Sequence, residues 1–289
     1  MPDHPPIAWL FSMIRSGSSI AAYAAVAPFG GVVADEIFGP WVRTGPYYKF
    51  PPEQQTVTEL FRTSAGAITR PIREAADVVF RKLAQGEAGI PVCAPGREDL
   101  LQGLPSGGRP IVVKMPHDHP APAEVARVWP DQRHVFVLRN PVDRLSSIIG
   151  RGMLEPGSSG GPGTCITPDW DLAQLRQFCA RWLRARETGC ALVYDDLRRD
   201  PEAFFGGLYR AWGWDYDQRT IADAEAYARS NYHAMSIQRE QGADTQRPVS
   251  TQVRVAPEAA IRLYLSDTTI VTAMREVGWA TEIGAYLRA

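Results

Sequence analysis

A chain of 289 residues, 45% hydrophobic and 22% charged, is long enough for one large α/β domain or two small ones. Its formal net charge of −1 excludes a surface built for nucleic acid, so any anion binding must be local and pocketed. The four cysteines (Cys93, Cys165, Cys179, Cys190) form no C-x-x-C pair and no metal-ligand spacing with histidine, which predicts reduced thiols and no metal centre.

Residues 7–13 are apolar and read as a buried strand; the run is too short to span a membrane and lacks a basic flank, so a cytoplasmic protein is expected. A small-residue helix over 18–27 follows, stopped near Pro28. Next comes an aromatic, proline-rich stretch with Trp41, Tyr47, Tyr48 and Phe50, then helices around 56–68 and 72–85. Residues 110–114 form the second strand and 134–138 the third. The segment 150–168 carries a glycine-rich run, 157–164, that fits a tolerated surface loop or a lid over a site. A helix with Leu175, Phe178, Cys179 and Trp182 on one face leads to a fourth strand over 190–194, after which the chain reads as largely helical. Short continuous apolar strands separated by helices predict an α/β fold: a single domain over 1–289 with a central parallel β-sheet flanked by helices.

Two places carry the chemistry. At each, an apolar strand stops at an arginine and small hydroxyl residues open a helix: Arg15-Ser16-Gly17-Ser18-Ser19, and Arg139-Asn140-Pro141 with Ser147 eight residues after Arg139. A strand feeding a helix N-terminus through a short loop makes an anion site, because backbone N–H groups and the positive dipole end converge there. Gly17 lets the backbone approach an oxyanion, Ser18 and Ser19 add hydroxyls, and Arg15 adds charge. Two such sites suit a ligand with two separated phosphate-type groups. Arg144 reads as a surface residue paired with Asp143 or Glu155.

These residues resemble the sulfotransferases that use 3′-phosphoadenosine 5′-phosphosulfate (PAPS). That family's 5′-phosphosulfate loop follows a strand and runs approximately Pro-(Arg or Lys)-Ser-Gly, then two Ser or Thr. Ile14 to Ser19 match it except at Ile14, where proline is usual. Its 3′-phosphate motif, Arg-(Asp or Asn)-Pro with a serine eight positions on, is matched by Arg139, Asn140, Pro141 and Ser147. Tyr194-Asp195-Asp196-Leu197, Asp200-Pro201-Glu202 and Trp212-Gly213-Trp214 resemble a third family block, whose tyrosine lies beside the adenine. Arg239 and Gly242 echo a family Arg-Lys-Gly at the 3′-phosphate, with Arg247 and Arg254 as rival basic contacts. The resemblance implies a P-loop-kinase-like sulfotransferase fold, PAPS as co-substrate with PAP as product, no metal, and an acceptor that is a small molecule, lipid or sugar.

Sulfuryl transfer needs positive charge at the leaving oxygen and a base at the acceptor. Arg15 suits the first role electrostatically, since arginine does not readily give up its proton. Two residues compete for the second. Glu36 lies 21 residues after Arg15, about where several bacterial members place a proposed catalytic glutamate. His117 follows Lys114-Met115-Pro116, near the family's lysine and histidine but with one additional residue between them; His119 reads as a surface residue. The aromatic stretch after Glu36 is expected either to line the acceptor site or to pack on the core. Rival readings are a nucleoside or sugar kinase with an atypical phosphate loop, a PAP-binding protein without catalysis, and an adaptor with no nucleotide site. The missing P-loop lysine counts against the kinase.

Overall fold

Runs of Val, Ile, Leu and aromatic residues buried on both faces build a five-stranded parallel sheet. A computed structural model describes residues 6–14, 16–38, 51–115, 120–150, 168–186, 190–231, 258–279 and 284. Strand β1 (Ile7–Ser12) is central, between β3 (Ile111–Met115) and β4 (Arg133–Leu138). Strand β2 (Val32–Asp35) pairs outside β3, and β5 (Cys190–Val193) outside β4. Trp9 thereby stands opposite Val113 on one side and His134 on the other. The sheet agrees with the α/β expectation, and its order is β2-β3-β1-β4-β5.

Strand β2 is not among the strands expected from the sequence. Four residues, Val-Val-Ala-Asp, are too few for a distinct apolar signal. They become a strand because Val32 to Asp35 align with Ile111 to Lys114. The helix expected over 56–68 is observed as α2 (Glu53–Thr63); Ala65 and Gly66, both at positive φ, turn the chain before Ile68. The next helix, α3 (Arg70–Ala84), starts with Pro71 in its first turn.

Alternation along the strands divides the core between the two faces. Trp9, Phe11, Val113 and Phe136 face α2, α3 and α5 (Pro122–Val128), with α7 (Pro168–Ala185) on the same side. Trp9 centres an aromatic cluster there, 5.3 Å from Trp129 and edge-on to Phe80 at 6.0 Å. On the other face Ala8, Leu10, Val112 and Val135 meet α1 (Ser18–Val26), α9 (Pro201–Trp212) and α10 (Gln218–Asn231). Helix α1 is apolar or small nearly all round because the sheet and its neighbours enclose it. Short α4 (Asp99–Gln102) is tied to the turn after α1 by Arg109, which donates to the carbonyls of Gly30 at 2.7 Å and Leu100 at 3.0 Å.

From β1 the chain leaves on the α1 face and reaches β2; from β3 it leaves on the α5 face and reaches β4. Neighbouring strands β1 and β3 thus send their connections to opposite faces. That reversal opens a crevice at their carboxyl ends, the place where open α/β sheets hold ligands. The expected loop 150–168 lies, apart from Gly150 and Pro168, outside the described residues.

Candidate active site

The loop after β1 enters the crevice. The Ser16 amide donates to Met13 O at 3.2 Å, closing a turn, and Gly17 takes φ +76° as the N-cap of α1. Left-handed backbone there is strained for any side chain, and space forbids one as well: a Cβ on Gly17 would lie 1.9 Å from Tyr194 Cε2. Ser18 and Ser19 occupy the first helical turn, where backbone N–H groups have no helical acceptor ahead of them. Arg15 lies outside the described residues.

The second loop converges on the first. Asn140 Oδ1 accepts from the Val142 amide at 3.0 Å and Pro141 opens helix α6 (Pro141–Gly150), so the Arg-Asn-Pro sequence is a strand end followed by a helix start. Arg139 sits immediately after β4, and its guanidinium carbon lies 5.1 Å from the ring centre of Tyr194. Tyr194 is buried and opens α8 (Tyr194–Arg199) directly after β5. One face of the site is therefore a chain of contacts from Gly17 to Tyr194 to Arg139. Ser147 lies on α6, half-buried. The Asp200-Pro201-Glu202 block caps a helix, with Asp200 accepting from the Ala203 amide at 2.9 Å at the start of α9.

At the ends of β2 and β3 stands a buried polar group. Lys114 Nζ is 2.8 Å from Asp35 Oδ1 and donates to Ser19 Oγ at 3.0 Å, with both charged residues at most 2% exposed. Lys114 thereby joins β3 to the first turn of α1. Glu36, also buried, has φ +60° and its amide donates to Lys114 O at 2.9 Å. A non-glycine residue in that conformation costs about 1 kcal/mol or more, the kind of local strain that concentrates at functional sites. In the sequence Asp35 stands out only as the acidic neighbour of Glu36; its pairing with Lys114 is not legible there because it depends on strand register. His117, His119, Arg239, Arg247, Arg254 and the aromatic stretch 41–50 lie outside the described residues.

Arg144 is not the surface residue expected from the sequence. It is 1% exposed and forms a two-pronged pair with Asp171, Nη1 to Oδ1 at 3.0 Å and Nη2 to Oδ2. On α6 its position falls on the inward face, where only a buried carboxylate offsets the cost of a buried guanidinium. A narrow apolar cleft runs beside this pair, walled by Met13, Leu138, Phe178 and Trp182 and reaching Ser16 and Arg139. Among the described residues, no group of three or more His, Cys, Asp or Glu is placed to hold a metal. No helix among them is long and apolar enough to cross a membrane.

Residues 59–218 match the model of the Sulfotransferase family. The chain belongs to that family. The matched segment includes β3, β4 with Arg139, α6 with Ser147, and β5 with Tyr194; the loop from Arg15 to Ser19 precedes it. No curated protein sequence matches. Among solved structures, this sulfotransferase is similar to the sulfotransferase domain from the curacin biosynthetic pathway, at 13% identity and a TM-score of 0.43 over 90% of this chain and 97% of that one. It is also similar to sulfotransferase STF9 from Mycobacterium avium (15% identity, TM-score 0.43, 92% and 76% of the two chains). A third is retinol dehydratase in complex with androsterone and inactive cofactor PAP (14% identity, TM-score 0.46, 95% and 82%). Similarities of this size say nothing about substrate; the assignment stands on the family match.

Proposed function

We propose that this chain transfers a sulfuryl group from PAPS to a hydroxyl or amine of a small-molecule, lipid or sugar acceptor. The observation that carries this reading is the contact chain from Gly17 through Tyr194 to Arg139, which brings two arginine-bearing loops to one site at the carboxyl edge of the sheet. The absence of a side chain at Gly17 lets Tyr194 pack against the loop, and the helix start that follows suits a phosphate-type oxygen. In this reading the Arg15–Ser19 loop holds the 5′-phosphosulfate, Arg139 and Ser147 hold the 3′-phosphate, Tyr194 lies at the adenine and Arg239 adds charge at the 3′ end.

Transfer forms a bond from the acceptor oxygen or nitrogen to sulfur and breaks the bond from sulfur to the 5′-phosphate oxygen, which keeps the electron pair. The acceptor's proton goes to a base, Glu36 or His117. Glu36 is supported by its burial and its strained backbone next to Lys114. Arg15 stabilises negative charge at the leaving phosphate, and Lys114, its own charge matched by Asp35, acts through the Ser19 hydroxyl to which it donates.

The test pairs binding with turnover. Calorimetry is expected to show PAP binding and no comparable affinity for ATP, with labelled sulfate passing from PAPS to a member of an acceptor panel. Arg15→Ala is expected to lower both affinity and turnover, and Arg139→Ala chiefly affinity. Glu36→Gln is expected to bind PAP normally and turn over at least about 100-fold more slowly. Full turnover by Glu36→Gln moves the base to His117, and phosphate transfer from ATP without PAP binding overturns the reading.

A further inference from the structure

Arg144 is buried five residues after Arg139, yet its charge is not available to a nucleotide. Both prongs of its guanidinium rest on Asp171, in the first turn of α7, which is 0% exposed. The hydroxyl of Tyr264, on helix α11 (Glu258–Leu265) and also 0% exposed, donates to Asp171 Oδ2. A cation matched by a carboxylate presents little net charge to a phosphate, so attraction at long range is not what this cluster supplies. Among the described residues its remaining hydrogen bond is to backbone. Arg144 Nη1 reaches the carbonyl of Ile14 at 3.4 Å.

That carbonyl belongs to the peptide bond that links Ile14 to Arg15. A peptide unit is planar and moves as one body, so a donor on the Ile14 oxygen restrains the plane at which the loop begins. On the far side of Arg15 the turn is closed by the Ser16 amide on Met13 O. The loop is thus held from two directions, and one of them runs through side chains from three separate helices. A fully buried ionic cluster contributes little net stability relative to apolar packing, whereas it does fix geometry.

We propose that Arg144, clamped by Asp171 and Tyr264, is a positioning residue that anchors the Ile14 carbonyl at the start of the loop and so sets the grip on the 5′ end of the nucleotide. The inference rests on the reading of Arg15–Ser19 as the 5′-phosphosulfate loop. It makes helix α11, far along the chain, a determinant of affinity at the first strand's loop.

The experiment is phosphorus NMR of PAP bound to the full chain, which reads the 5′- and 3′-phosphates as separate resonances. Tyr264→Phe keeps the ring in the core and removes only the hydroxyl; Arg144→Lys keeps the charge and removes the fork. Each is expected to move the 5′ resonance, leave the 3′ resonance in place, and weaken PAP binding about tenfold. Arg139→Ala serves as the opposite control, moving the 3′ resonance. Wild-type spectra and affinity in folded Tyr264→Phe overturn the proposal, as does an equal disturbance of both resonances, the mark of a general structural role. Absence of PAP binding by the wild-type chain overturns the reading of the loop itself, and the proposal with it.

Discussion

At the scale of single residues, Lys114 shows how a charge is held in the interior. It is 1% exposed, so its ammonium has given up almost all contact with water in exchange for Asp35 at 2.8 Å and Ser19 at 3.0 Å. Removing one member of such a pair strands the other charge in the interior, at a cost of about 3–5 kcal/mol. Lys114→Met is expected to lose stability of that order in urea unfolding, and the double variant Lys114→Met with Asp35→Leu to regain most of it. The double variant should still fail to transfer sulfate, since restored packing does not restore the ammonium. Recovery of turnover together with stability would remove Lys114 from the chemistry.

At the scale of an element, β4 separates function from folding along its own length. Its carboxyl end delivers Arg139 to the site, while His134 lies near its amino end, edge-on to Phe11 at 6.3 Å and to Phe136 at 5.9 Å. Burial, and then the charge of Arg133, hold the His134 imidazole below its usual value of 6.5. His134 Nε2 has no hydrogen-bond partner among the described residues. Well above 6.5 the folded and unfolded chains both carry neutral imidazole and the group is silent. As pH falls through 6.5 toward the lower folded value, the unfolded chain takes the proton first and stability is lost. Thermal melts of wild type and His134→Leu are therefore expected to diverge in favour of the variant as pH falls from about 7.5 to about 5.5. PAP affinity at about pH 7.5 should be the same in both. Parallel melting curves would show that His134 takes up its proton equally in both states.

At the scale of the whole molecule, the site is a property of one edge of the sheet. The order β2-β3-β1-β4-β5 puts the loops after β1, β3, β4 and β5 at the same end, with the reversal between β1 and β3 beneath them. With a net charge of −1, a nucleotide site at those loops would draw on local charge rather than on a basic surface. Hydrogen exchange with and without PAP is expected to protect residues 13–19, 139–147 and 194–197, at the carboxyl edge. The amino edge, residues 7–8 and 133–134, should exchange unchanged. Protection spread evenly over both edges would indicate general tightening and remove the switch point as the binding place.

Much of this was legible in the chain. Strands β1, β3, β4 and β5 declare themselves because apolar runs of that length need burial on both faces, and the two arginine loops because a strand end, an arginine and a helix start are local features. Strand β2 stayed hidden, since its four residues are a strand only by virtue of β3 beside them. Arg144 looked like a surface charge because its partners stand 27 residues away at Asp171 and, through Asp171, another 93 away at Tyr264. The sequence by itself determined the kind of fold, the family and the two strand–arginine–helix loops, all of which depend on neighbours within a turn or two. Only the tertiary structure decided that Tyr194 covers Gly17, that Lys114 rests on Asp35 and that Arg144 braces the first loop. Such pairings join segments far apart in the chain, and they exist only after the sheet has closed and set the register between them.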